Sequence, residues 1–428
     1  AVPAYSYLRK YGDFSMWDIY RAELPLYSLI TPKMSGEMMQ SLVQMYKEGG
    51  WMPIFPCWNS YTAAMIGDHS GAALADAYVK GIRNFDAAKA YEGMRLNAFS
   101  TPYLAKDYRD GKGRRAIRSY MDNGYIPLED MVEEAFHTNE QTSRTLEYAY
   151  DDYAVAQMAK ALHDSCQDAA LRQKYLEDYN DLMRRSENWR NVINSATGWA
   201  DGRYENGKWE NNEDLVHRKS YITEGATCHY TWYVPQNPEG LFEVIRNSKP
   251  MDKQEKQIEK MERKMEKKGE TPVRNEKVIA RLDKMFDNGW YWHGNEPCHQ
   301  VAYLYDAAGA PEKTQERVHH ILQTEYNDTP GGLSGNDDAG QMSAWYVFSS
   351  IGFYPVCPGT PYYYIGTPSF DKVTLNLENG RKFILSADRQ HMDDYLIQSV
   401  TLNGKPLGDY RLSHQQILTG GELHFQMK

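Results

Sequence analysis

From about residue 35 to residue 355 the sequence is a succession of long helix-period runs, broken by Gly, Pro and Asn loops rather than by strand-like alternation. The run "SGEMMQSLVQMYKEGG" (35–50) offers Ser35 as an N-cap and closes on Gly49-Gly50. In "TSRTLEYAYDDYAVAQMAKALH" (142–163), Leu146, Ala149, Tyr150, Tyr153, Ala156 and Met158 fall near one helical face. Runs of similar length occupy 168–193 and 311–328. Consecutive helices without interleaved strands must bury their apolar stripes on one another, so residues 35–365 read as an all-α assembly. A single aromatic-rich hairpin, "TGWADGRYENGKW" (197–209), interrupts it with an Asn-Gly turn.

The period changes near the C-terminus. "KVTLNLENGRKFILSA" alternates apolar and polar residues around Asn379-Gly380, and strand-like runs continue at 395–407 and 420–427. Residues 366–428 therefore read as a β unit, too small to stand as an independent sandwich and expected to lean on the helices. One biased segment, 249–270, keeps only a thin seam of Ile258, Met261 and Met265 among charges, and reads as a solvated helical insertion.

Composition narrows the function. The 58 acids against 48 Lys+Arg give a formal charge of −10, with no long basic tract, which disfavours a nucleic-acid ligand. No stretch is long and apolar enough to span a bilayer. No signal peptide opens the chain, so it reads as mature protein or as a cut fragment. Five scattered cysteines, Cys57, Cys166, Cys228, Cys298 and Cys357, show no zinc spacing and leave the compartment open. The 33 Tyr, 12 Phe and 10 Trp suit sugar rings as well as a core.

Five loops set acids beside glycine and aromatic residues: "FSMWDIYR" (14–21), "MIGDHSG" (65–71), "YITEGATCHYTWY" (221–233), "HGNEPCHQ" (293–300) and "GNDDAGQ" (335–341). Each precedes a helical run, so each acid taken alone can serve as a cap. Together, in a ring of helices whose loops converge at one end, they can meet in one cavity. Glycoside hydrolysis needs that meeting: one protonated carboxyl for the leaving oxygen and one ionised carboxylate as nucleophile or water-activating base. Glu224, between Tyr221 and the Tyr230/Trp232 pair, sits in a desolvating setting, opposed by the helix N-terminus behind it. Asp338, with Asp337 beside it and a helix following, is placed to stay ionised. Asn336, Asp337 and Asp338 also offer oxygens to a hard cation such as Ca²⁺, although EF-hand spacing is absent.

At these residues the chain resembles the glycoside hydrolase family 92 α-mannosidases, calcium-dependent exo-acting enzymes that invert the anomeric centre. The likeness runs nearly end to end, in order, through "FSMWDIYRAELPLYSL", "MIGDHSGAALADAYVKGIRNFD", "SRTLEYAYDDYAVAQMAKAL", "TEGATCHYTWYVP", "GNEPCHQVAYLYDAAGAPEKTQ" and "GNDDAGQMSAWYVFSSIGFYPVCPG". The resemblance implies an (α/α)6 toroid of about twelve helices. It implies Glu224 as general acid and Asp338 as general base, with Asp337 or Asn336 in support. Glu296 and His299 would lie at the calcium and the leaving group, and Trp17, Asp18, Asp68 and His69 would line the terminal mannose pocket. The calcium would sit against the sugar's O2 and O3 and help flatten the ring.

The chain also departs from the family. An N-terminal β-sandwich precedes the toroid there, so residues 1–34 read as the domain junction and lead-in, and the chain as the catalytic half. "ATCHYTWYVPQN" replaces an amide-rich run after the acid, and Asn295 stands where His marks α-1,2 specialists, which disfavours that linkage. The expected substrate is a mannose-rich glycan, and the family implies a periplasmic, secreted or cell-surface location. Two alternatives stay open: another (α/α)6 glycosidase or a phosphorylase acting on α-glucosides, and a non-catalytic glycan-binding protein.

Overall fold

A computed structural model describes residues 9–132, 137–270, 272 and 274–428. The helix Pro32–Gly49 starts one turn earlier than Ser35 suggests, because Pro32 supplies a pre-set φ at its first position. Ser35 is buried instead, its hydroxyl against that of Ser28 at 3.1 Å. The stop is where glycine predicts it: Gly50 closes the helix with φ +81°.

The longest helix, Gln141–Ser165, is buried on nearly every side and not along one stripe. Helices Ala169–Arg185 and His69–Val79 pack along it. Asp168 and Asp86 cap their helices by accepting from the backbone N–H of Leu171 and Lys89. The interruption around 197–209 is two small features: Ile193–Asn194 pairs with Trp199–Ala200, and an Arg203–Trp209 bridge turns through Asn206-Gly207.

The charged segment 249–270 differs from expectation. It is helical over Lys253–Glu266, but its buried contact is ionic. Arg281 reaches Glu255 with Nε to Oε1 at 3.1 Å and Nη2 to Oε2 at 3.2 Å, and Lys277 reaches Glu259 at 2.9 Å. Glu255, Lys277 and Arg281 are all fully buried on the Glu276–Asp287 side, while Met261 of the supposed seam is 62% exposed. The paired carboxylates, not the methionines, latch this helix.

The C-terminal strands lean on the helices as their length requires. Gly421–Met427 lies at the centre of a five-stranded sheet, parallel to Lys382–Asp388 and antiparallel to Ile397–Leu402. Lys372–Asn376 and Lys405–Pro406 form its edges. A second sheet joins Phe353–Tyr354, Tyr362–Ile365 and Arg411–Ser413, so strand structure begins before residue 366. Phe383, Leu385, Leu423 and Phe425 alternate into a core shared with Trp345 and Phe348 of helix Gln341–Ile351 and with Val318 and Ile321. That shared core fixes the start of the 341–351 helix, and with it the acidic loop just before.

Candidate active site

Three segments distant in sequence bring carboxylates to one point. Asp18 sits on the short helix Met16–Ile19, 5% exposed, with the Ser15 hydroxyl donating to its Oδ2 at 2.5 Å. Glu296 begins a buried turn, Glu296–Cys298, and its Oε1 accepts no hydrogen bond from a described residue. Asp338 opens a turn in which three consecutive residues, Asp338, Ala339 and Gly340, hold φ of +47°, +57° and +106°. L-residues avoid that region, so the backbone is spending conformational energy to aim this carboxylate. Oxygens of Asp18, Glu296 and Asp338 all lie within 4.8 Å of one another.

Two of these loops are joined backbone to backbone. A methyl group on Gly335, itself at φ +89°, would stand 2.8 Å from the carbonyl oxygen of Gly294. Only glycine lets the 331–340 loop press so closely on the 291–296 loop. Asn295 continues the chain of contacts by donating from Nδ2 to the Glu224 carbonyl at 3.2 Å. Glu224 is half-buried and, like Asp338, left-handed, with φ +50°.

The electrostatics follow from packing acids together out of water. Burial, then the neighbouring Asp338 and Glu224 carboxylates, push Asp18 up to about 7, against the opposing Ser15 hydrogen bond and Arg21. Burial, with Asp18 and Asp338 beside it, pushes Glu296 up to about 9. Without a counter-cation the cluster must hold protons. Hard oxygens from three directions, two of the carboxylates buried and one oxygen lacking a donor, suit a divalent cation that prefers oxygen, so the donor set fits Ca²⁺.

Other expected site residues lie elsewhere. Asp68 is 1% exposed; its Oδ2 accepts from Arg114 Nε and its Oδ1 from Asn97, at 2.8 and 2.9 Å. His69 is held between Asp151 (2.8 Å) and Glu147 (3.2 Å) and stacks on Tyr20. Both belong to a buried ion network in which their polar atoms are engaged. Trp17 is likewise buried, its indole N–H donating to Glu147 at 2.8 Å. Both ring nitrogens of His299 are engaged within the protein, one with the His293 carbonyl and the other with the Gln341 amide, both at 3.1 Å. Asp337 turns away from the cluster and accepts from the Ser343 backbone N–H and hydroxyl, and Asn336 is exposed. The adjacent acids thus divide: Asp337 ties down the first turns of helix Gln341–Ile351, and Asp338 joins the cluster.

Sequence reasoning passed over Arg21 and Glu147. Arg21 is buried against the rings of Trp17, Tyr20 and Tyr233, with Nη2 lacking a partner among the described residues, and is the cation within Coulomb reach of Asp18 and Glu296. Glu147 also accepts from Tyr230, three positions past the start of the helix that follows Glu224. The signal for Glu147 was three acids, 147, 151 and 152, inside a run otherwise apolar enough to be a core helix.

Residues 3–428 match the glycosyl hydrolase family 92 catalytic domain. A family GH92 α-mannosidase from Bacteroides thetaiotaomicron superposes with a TM-score of 0.81 at 33% identity, over 98% of this chain and 50% of that chain. The GH92 inverting mannosidase of Bacteroides thetaiotaomicron VPI-5482 gives 0.82 at 32% identity, over 98% and 53%. An uncharacterised secreted glycosidase of the fungus Arthroderma benhamiae is 29% identical over 439 residues, 95% of this chain and 50% of its own length. These likenesses and the carboxylate site put the chain among the glycoside hydrolases. It belongs to glycosyl hydrolase family 92, and it spans about half the length of the relatives it matches.

Proposed function

We propose that the chain carries the active site of an exo-acting α-mannosidase that removes terminal α-linked mannose from mannose-rich glycans, with inversion and with Ca²⁺. The observation that carries this reading is the convergence of Asp18, Glu296 and Asp338 beside the Glu224 loop. The helical domain is read as an (α/α)6 toroid with the acids at one mouth. Glu224 gives its proton to the glycosidic oxygen as the C–O bond breaks. Asp338, the least buried of the three clustered acids, takes a proton from the attacking water on the opposite face of the ring. An inverting pair needs about 6.5–9.5 Å between its carboxyls to admit that water.

Asp18, Glu296 and Asp338 are the residues that would hold the cation. When bound, it supplies Lewis-acid polarisation of the sugar hydroxyls. Arg21, fixed by its aromatic sandwich and its bond to the Trp17 carbonyl at 3.0 Å, keeps the acid-bearing segment in register. Asn295 holds the Glu224 backbone. The related fungal protein is described as secreted, and the same location is proposed here.

Following the hydrolysis of an aryl α-mannoside by NMR, with and without a chelator, tests the reading. It predicts chelator-sensitive release of mannose, first seen as the β-anomer. Release of the α-anomer would overturn inversion, phosphate-dependent turnover would make the chain a phosphorylase, and chelator-insensitive turnover would remove the metal.

A further inference from the structure

Trp58 combines two features that proteins rarely put together. Its side chain is 86% exposed, and its backbone is left-handed at φ +53°. It occupies the first corner of a two-residue hairpin, closed by reciprocal bonds between Cys57 and Ser60 (3.1 and 3.0 Å), with Asn59 at φ +57° in the second corner. This is a type I′ turn, whose corners favour Asn, Asp and Gly; a bulky side chain at the first is a steric outlier. Folding thus gains little from the indole, and such strain collects where a function holds it.

The turn is tied to the active site. The Trp58 N–H donates to Asp13 Oδ1 at 2.5 Å, and two residues after Asp13 the Ser15 hydroxyl holds Asp18. Asp18 is also among the carboxylates that, after burial, push the Cys57 thiol up. On the turn's flank lies a cleft of about 590 Å³, within the size range of small-ligand sites. Tyr11, Pro56 and Tyr61 give it apolar faces, and Asp13, Asn59 and Lys112 give it polar edges. Flat apolar faces with polar groups around them are what a pyranose ring presents in return.

We propose that the Trp58 turn and this cleft bind sugar residues on the leaving-group side of the glycan, with the Trp58 indole as stacking platform. The proposal rests on the exo-α-mannosidase reading: an exo-acting site ends at the sugar it removes, so further glycan contacts lie toward the leaving group.

Trp58→Gly is the discriminating variant, because glycine accepts the turn's φ without strain. Its kcat/KM is compared with that of the parent protein on α-mannosyl fluoride, which has no leaving-group sugar, and on a mannose-rich oligosaccharide. Expected are an unchanged fluoride reaction, a roughly tenfold loss on the oligosaccharide carried mainly by KM, and a Tm that is unchanged or higher. Equal losses on both substrates, no loss on the oligosaccharide, or a lowered Tm would overturn the proposal. If the parent hydrolyses neither substrate, the mannosidase reading fails first. Titration calorimetry with the oligosaccharide then decides this site: weaker binding by Trp58→Gly supports it, and equal or no binding by the two proteins overturns it.

Discussion

Two clusters of buried acids lie close together in this molecule and have opposite characters. Beneath the site, Asp68, Glu147, Asp151 and Asp152 face Arg114, Arg185 and His69 through direct ion pairs. At the site, Asp18, Glu296 and Asp338 face one another, and the Arg21 guanidinium acts on Asp18 and Glu296 through its charge alone. Carboxylates with direct cationic partners are scaffold. Carboxylates that face one another wait for a proton, a cation or a substrate, and it is the missing ion-pair partner, not burial or acid count, that marks the candidate functional cluster.

Removing one charge should therefore have opposite effects in the two places. Asp338→Asn is expected to cut turnover roughly 10²–10⁴-fold while leaving the Tm of the calcium-free protein unchanged or raised, read by kinetics and calorimetry together. A large fall in Tm would place Asp338 with the scaffold and break the distinction. In the network, Arg114→Met strands Asp68, which Arg114 holds at 2.8 Å, and takes from Asp152 one of its two arginine partners, at 2.6 Å, leaving Arg185. Denaturant unfolding should show a loss of about 3–5 kcal/mol. A loss under about 1 kcal/mol would mean that the network is not the tight scaffold it looks.

Calcium and pH sharpen the contrast. Asp18 at about 7 and Glu296 at about 9 bind protons more tightly folded than unfolded, so that contribution to stability is full at acidic pH and is lost as pH rises through those values. The cation needs the same groups deprotonated, so Ca²⁺ should raise Tm more at pH 8 than at pH 5. The opposite order in differential scanning fluorimetry would mean that the cation binds elsewhere.

The smallest effect belongs to the scaffold histidine. Burial alone would lower His69, but the Asp151 and Glu147 carboxylates outweigh it and push it up to about 9. Its stabilisation is complete below its unfolded value of 6.5 and fades between there and about 9, an alkaline drift that calcium should not rescue. His69→Gln should flatten that part of the pH–Tm curve, and an unaltered curve would show His69 to be neutral in the folded state.

Much of this was legible in the sequence, and the gaps have physical causes. Helical period, Gly50 and the Asn379-Gly380 turn are local, and the elements they mark formed. The acids of the "WD", "GDH", "TEG", "NEP" and "NDD" loops read as one converging group because loops in such a domain share an end, and Asp68 of the "GDH" loop is instead paired with Arg114. What sequence could not show was which acids already had partners. Asp68 reads like Asp18 until Arg114 arrives from 46 positions away, and nothing local to His299 shows that His293 and Gln341 meet its ring nitrogens. The 253–266 helix looked solvated for the same reason, since its charged face is half of a set of ion pairs completed by Lys277 and Arg281.

The contact between Gly294 and Gly335 acts as a shared rivet for the two loops that carry Glu296 and Asp338. The spacing of those acids is therefore a single adjustable quantity rather than two. A side chain at either glycine would shift both carboxylates at once, so an engineer redesigning the mouth cannot retune one loop alone. Variation that keeps a working site should arrive in these loops as matched pairs of changes.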